Sequence, residues 1–159
     1  MRRSDREMDA EFAFSVIDKS PYATVSMVGT DGKPYCVPLS VARVGEKLYF
    51  HCAKMGTKTD VLKRNPNVCA VFVGEVVPFA DEVKAMYSTS YESAVVVGKA
   101  VLLNDDAEKI IGLRAVCQKF TPDNLGFFDI AVSHSLQVTD VWRIDVEQIT
   151  GKARKRKNH

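Results

Sequence analysis

From Met8 to Lys19 the apolar residues Met8, Phe12, Val16 and Ile17 recur near helical spacing, with Phe14 off that stripe and Ser20-Pro21 closing it. One amphipathic helix is predicted there. Beyond it, Tyr22 to Val28 alternates among strand-forming residues and runs into Thr30-Asp31-Gly32-Lys33-Pro34, where Asp-Gly marks a tight turn. The hairpin partner is Tyr35 to Val44, closed by Gly45-Glu46, and Lys47 to Ala53 is a third strand. Links this short force antiparallel neighbours. Pro38 lies inside the second strand without an amide donor, which predicts an edge, a bulge or a strand facing something other than a neighbour.

From Thr57 to Asn65 the period becomes helical, with Val61 and Leu62 inward, and Asn65-Pro66-Asn67 stops it. Val68 to Val73 is a compact β-branched strand. Met86 to Leu103 is a long strand or a pair, with Gly98 a bulge or kink. The segment between them, through Pro78 and Asp81, reads as a loop. Asp105-Asp106-Ala107-Glu108 places acids in the first turn of a further helix that continues to Phe120, as the helix dipole favours. Asp123 to Val132 is ambiguous, with a short helix as one reading, and Thr139 to Val146 alternates cleanly as a final strand. About six sequential antiparallel strands with helices inserted midway and late indicate an α+β, mainly β domain on a small barrel or curved sheet.

Length and composition narrow this further. With 159 residues, 46% of them hydrophobic and 26% charged, the chain fits one domain, taken as residues 1–151, followed by a basic tail, residues 152–159. No run approaches the roughly 18 apolar residues of a membrane span, and the start of the chain lacks a secretory apolar stretch, so a cytoplasmic protein is expected. Cys36, Cys52, Cys69 and Cys117 form no CxxC pair and lie in apolar segments; neither a metal site nor a disulfide framework is expected, only reduced, mostly buried thiols. The net charge of +2 is concentrated in Lys152 to Lys157, leaving a nearly neutral body. A nucleic-acid surface, which needs aromatic platforms beside a basic groove, is not expected.

One stretch carries chemistry: Val37-Pro38-Leu39-Ser40, then His51-Cys52-Ala53-Lys54-Met55-Gly56-Thr57-Lys58. A strand end turns through a glycine into a helix start flanked by two lysines. Free amides and the positive dipole end suit an anion such as phosphate, with Lys54 and Lys58 supplying full charges. The same residues also fit an ordinary turn before a surface helix, and His51 a structural histidine.

The run from Val37 to Val73 resembles the FMN-binding split barrels related to pyridoxamine 5'-phosphate oxidase, and within them the nitroimidazole-resistance proteins. The resemblance rests on Val37-Pro38-Leu39-Ser40, Leu48-Tyr49-Phe50-His51, Gly56-Thr57-Lys58, Leu62 before Asn65-Pro66, Tyr91-Glu92-Ser93 leading to Gly98-Lys99-Ala100, and the closing Ile149-Thr150-Gly151-Lys152. It implies an antiparallel six-stranded split barrel with flanking helices, and a homodimer holding FMN at the subunit interface. The phosphate would lie near Lys58, with Gly56 and Thr57 beside it. The backbone of Pro38, Leu39 and Ser40 would run along the flavin ring. His51 and Cys52 would line the pocket near the phosphate and ribityl chain, Lys54 would add charge, and Ser93 and Tyr91 would meet the ring's polar edge. Trp142, Arg143 or Lys152 could reach across from the second subunit.

The arginine- and serine-rich phosphate site of the oxidase itself is missing, which speaks against vitamin-B6 oxidation. The resemblance instead implies an oxidoreductase that reduces small, flat, electron-poor aromatic compounds of the nitroimidazole kind, with His51 as a candidate proton donor. The alternative is a non-catalytic barrel, or one loaded with haem or a deazaflavin.

Overall fold

A computed structural model describes residues 3–82 and 85–155. After a single 3₁₀ turn at Ser4–Arg6 the elements run β1 (Glu7–Met8), α1 (Ala10–Lys19), β2 (Ala23–Val28), β3 (Pro34–Leu39), β4 (Ala42–Val44), β5 (Lys47–Ala53), α2 (Thr57–Arg64), β6 (Asn67–Asp81), β7 (Met86–Leu102), α3 (Asp106–Phe120), a second 3₁₀ turn (Pro122–Phe127), α4 (Phe128–Ser135) and β8 (Thr139–Arg154). The strands form one antiparallel sheet in the order β3-β2-β6-β7-β8-β5-β4, with β1 added to β8. The mainly β, α+β reading is therefore correct, and the sheet curls around one core as a split barrel does. The strand count is eight among the described residues, because the expected second strand breaks at Ser40-Val41 into β3 and β4, and β1 is a two-residue addition.

Local chemistry explains where helices begin. The Asp9 side chain accepts the Phe12 amide at 2.8 Å, and Asp105 accepts that of Glu108 at 3.0 Å, so both α1 and α3 have a carboxylate at the N-cap. The barrel interior is filled by Val25, Leu48, Phe50, Phe72, Val96, Trp142 and Ile144, with α1 closing one side through Ala13, Val16 and Ile17. Phe50 and Trp142 stack nearly parallel, ring centres 6.4 Å apart. A second, smaller core lies outside the sheet, where Tyr49 and Val141 pack under Leu113 of α3 and Phe128 of α4.

Two strands outrun their expected length. β6 continues through the segment read as a loop, pairing Val76 to Asp81 with Met86 to Tyr91 beyond a register shift after Val73; Val83 lies outside the described residues. β8 continues to Arg154, so Lys152, Ala153 and Arg154 are sheet residues opposite Ser93, Glu92 and Tyr91, and the tail begins later than residue 152. Arg156 and Lys157 lie outside the described residues. Gly98 marks the anticipated irregularity: the β7–β8 register shifts between Val97 and Gly98. A Cβ at Gly98 would sit 2.2 Å from the Asp145 carbonyl oxygen, so only glycine fits that close approach.

The four cysteines are unpaired, but the expectation of burial fails: Cys36 is exposed on β3, and Cys52, Cys69 and Cys117 are only half-buried. Cys36 points away from the barrel interior on an edge strand, where an apolar neighbourhood in sequence does not become one in space.

Candidate functional site

β5 sets the geometry, because successive side chains of a strand face opposite ways. Leu48 and Phe50 enter the barrel core, and Cys52 packs against that same core. Tyr49 belongs to the outer core under α3 and α4, and His51 follows it onto that face. His51 and Cys52, paired in the sequence reading, thus address two different spaces.

Beyond Ala53 the chain turns through Lys54-Met55-Gly56 into α2. Gly56 is the N-cap residue at φ 134°, a conformation open essentially to glycine alone. No side chain caps the helix start, and a Cβ at Gly56 would meet nothing within 4 Å. The first-turn amides thus have no side-chain cap, and the space beside Gly56 is empty, at the positive end of the helix dipole. Lys54, Met55, Gly56 and Thr57 are exposed. Lys58 lays its ammonium 5.8 Å from the centre of the Phe50 ring.

Thr59, which the sequence reading passed over, fixes this corner. It is 1% exposed, its hydroxyl donates to the Ala53 carbonyl at 3.3 Å, and it lies 3.7 Å from the Cys52 sulfur. The helix start is thereby pinned to the end of β5. The available signal was a hydroxyl residue two positions into the helical period, two before the inward Val61 and flanked by charged Lys58 and Asp60.

On the other face, His51 shares a cavity of about 290 Å³ with Leu113 and Cys117 of α3, Phe127, Phe128 and Val132 of the following segment, and Thr139 of β8. Most of its wall is apolar. Burial lowers the His51 pKa below its ordinary value, and the Lys58 charge lowers it further. His51 is nonetheless exposed to solvent on this face, and the direction of the shift favours the neutral imidazole over the imidazolium.

Pro38, Leu39 and Ser40 close the edge strand β3, with Pro38 opposite Thr24 and Leu39 opposite Ala23. Since β3 ends the strand path, Pro38 occupies the edge its missing donor predicts. Pro38 and Ser40 are exposed, and Leu39 is half-buried against the core. The next strand pairs Ala42 with Tyr49, a register that carries Ser40 toward the His51 end of β5.

Tyr91 and Ser93 lie elsewhere. Ser93 pairs with Lys152 on β8, whereas His51 pairs with Val141, eleven positions earlier on that strand. At about 3.3 Å per residue this places the two groups on the order of 30 Å apart along the strand. The Ser93 hydroxyl donates to the Lys152 carbonyl at 3.4 Å, and the Tyr91 hydroxyl accepts from Arg6 at 3.4 Å. Two of the residues expected to reach into a partner's site are engaged at home. Trp142 is 2% exposed, its indole nitrogen buried without a partner among the described residues. Arg143 binds Asp145 at 2.6 and 2.9 Å and Glu108 at 2.7 Å.

The family model described as pyridoxamine 5'-phosphate oxidase matches residues 9–153. The chain belongs to that family. Among curated proteins none matches it in sequence. Among solved structures, it is similar to a candidate 5-nitroimidazole antibiotic resistance protein from Bacteroides thetaiotaomicron, with 30% identity, a TM-score of 0.80, and 92% of this chain and 86% of that one covered. It also shares its fold with the flavocytochrome Anf3 of Azotobacter vinelandii (20% identity, TM-score 0.84, 98% and 72% covered). A third likeness in fold is the FAD and heme binding protein of Mycobacterium smegmatis (21% identity, TM-score 0.81, 95% and 74% covered). No helix among the described residues is long and apolar enough to cross a membrane.

Proposed function

We propose that this member of the pyridoxamine 5'-phosphate oxidase family is a homodimeric FMN flavoprotein that reduces small, flat, electron-poor aromatic compounds of the nitroimidazole class. The observation that carries the reading is the uncapped start of α2, open in front of Gly56 and flanked by Lys54 and Lys58, in a chain 30% identical to the Bacteroides protein. Bound FMN supplies the electron transfer, while the protein supplies position and environment.

In this reading the amides of Thr57, Lys58 and Thr59 and the two ammonium groups hold the phosphate, with Thr59 fixing the corner through Ala53. The Pro38-Leu39-Ser40 backbone passes beside the ring, with no ladder partner required on its outer edge. Tyr91 and Ser93 lie far from the corner along β8, and in this reading a second copy brings them to the flavin. The cavity under α4 takes the substrate: about 290 Å³ with largely apolar walls suits a small aromatic ring, and neutral His51 donates a hydrogen bond at its polar end.

Freshly isolated protein is expected to be yellow, its flavin absorbance bleached by a reduced nicotinamide cofactor and restored by a nitroimidazole. Dilution until dimers part should release the flavin. A haem spectrum, or a colourless protein indifferent to FMN, would overturn the reading and favour the differently loaded barrel.

A further inference from the structure

The end of the molecule away from α2 gathers positive charge that the flavin reading leaves unused. The 3₁₀ turn at Ser4–Arg6 folds beside the last residues of β8, and between them and the β6–β7 hairpin lies a cavity of about 420 Å³. Arg3, Arg6, Arg154 and Lys155 line it, against the carboxylates Asp5 and Asp81. Asp5 is already committed: it pairs with Arg3 at 2.6 Å and with Arg6 at 3.9 Å. Among the described residues, Lys152, Arg154 and Lys155 have no carboxylate within ion-pair distance, although Glu7 stands opposite Lys152 in the ladder.

Strand geometry makes this a face. Lys152 and Arg154 project to one side of β8, while Ala153, 7% exposed, turns inward between them. The Lys152 ammonium sits 6.0 Å from the Tyr91 ring centre and the Arg154 guanidinium 5.8 Å from that of Phe79, so aromatic surfaces hold both cations in place of carboxylates. Burial alone would raise the Tyr91 pKa, but the hydrogen bond from Arg6 and the Lys152 charge bring it down.

We infer that the Arg6, Arg154 and Lys155 cavity is a second anion site, separate from the α2 corner, for the pyrophosphate or phosphate group of a nucleotide-sized ligand. Guanidinium groups suit phosphate oxygens because their planar donors meet two oxygens at once. The volume exceeds what a bare ion needs and falls in the range of small organic ligands, and Met86 and Ala153 add apolar surface to its wall beside the cations. Two sources share this chemistry: an adenylate extension of the flavin itself, and a dinucleotide reductant.

The test is calorimetric titration of inorganic pyrophosphate into wild-type protein at low ionic strength. The double variant Arg6→Gln/Arg154→Gln should weaken binding by about tenfold or more, as expected for losing charge-assisted contacts. Lys155→Glu, at an exposed position that leaves folding intact, should weaken it as well. Lys58→Ala should leave it unchanged, which separates this site from the flavin corner: FMN binding can fail there while pyrophosphate binding stands. Displacement of pyrophosphate by ADP only in flavin-free protein assigns the site to the cofactor's extension, and displacement by a nicotinamide dinucleotide in flavin-loaded protein assigns it to the reductant. Absence of pyrophosphate binding, or binding indifferent to both the double variant and Lys155→Glu, would overturn the inference.

Discussion

Lys119 offers a test in which sign and size both follow from geometry. In the last turn of α3 its ammonium donates to the Ile17 carbonyl at 2.7 Å and the Val41 carbonyl at 2.8 Å, tying α3 to the end of α1 and the β3–β4 junction. The Phe120 and Phe72 rings lie 5.0 and 6.0 Å away. Burial, opposed by the charge of Asp18, lowers its pKa from 10.5 to about 8. Between about pH 8 and about pH 10.4 the unfolded chain holds a proton that the native state has shed, so the Lys119 contribution to stability rises with pH across that window. At 1.36 kcal/mol per pKa unit the full shift corresponds to about 3 kcal/mol, and solvent screening of a half-buried group reduces this to about 1–2 kcal/mol.

Lys119→Met removes the titration and leaves two carbonyls without donors, a loss of about 1–3 kcal/mol each where they are buried. Near neutral pH this loss is partly offset, because methionine carries no charge to bury. The stability gap between wild type and variant, measured by urea unfolding, should therefore widen by about 1–2 kcal/mol from pH 7 to pH 10. Other titrating groups cancel in the difference. A gap that stays constant or narrows would refute the reasoning.

Lys58→Ala should weaken FMN binding by about 1.5–3 kcal/mol, roughly 10- to 150-fold by fluorescence titration, and wild-type affinity would remove Lys58 from the phosphate site. The His51 imidazole should titrate below 6.5 by proton NMR and move upward in Lys58→Ala, since the ammonium contributes to its depression; because its folded pKa lies below the unfolded value, the His51 contribution to stability should fall as pH drops through about 6.5. Gly98→Ala must displace the β8 backbone at Asp145 and should cost about 3 kcal/mol or more in thermal or urea unfolding, with an unchanged midpoint contradicting the packing.

The sequence reading succeeded where local chemistry and burial coincide. β5 has the bounds expected of it, Lys47–Ala53, because its alternation is framed by Gly45-Glu46 and by the turn into α2. The acids from Asp105 onward announce the start of α3 in the residues themselves, whereas α1 begins at Ala10 behind the Asp9 cap, two residues after the expected Met8, which belongs to β1. The extensions of β6 and β8 were not legible: Val76 to Asp81 and Lys152 to Arg154 lie beyond the core and are strand only because β7 pairs with them, a tertiary fact that their mixed composition conceals. Asp123 to Val132 resisted assignment because a 3₁₀ turn gives way to α4 inside it, changing the period midway.

The candidate site divides in the same way. The run from His51 to Lys58 is contiguous and was found as a unit, yet the opposite orientations of His51 and Cys52 emerge only from their separate packing. The distance of Tyr91 and Ser93 from that corner depends on register along β8, which no local pattern states. Thr59 was overlooked because a small hydroxyl residue between charged neighbours looks like surface, while its burial against Ala53 depends on how the helix returns onto the strand.

The most direct measurement compares the affinities of wild-type protein for FMN and for riboflavin, which differ only in the phosphate. If the start of α2 grips that group, FMN should bind at least about 100-fold more tightly, as expected for several charge-assisted contacts. Equal affinity for the two would mean that the Gly56-Thr57-Lys58 corner holds no phosphate.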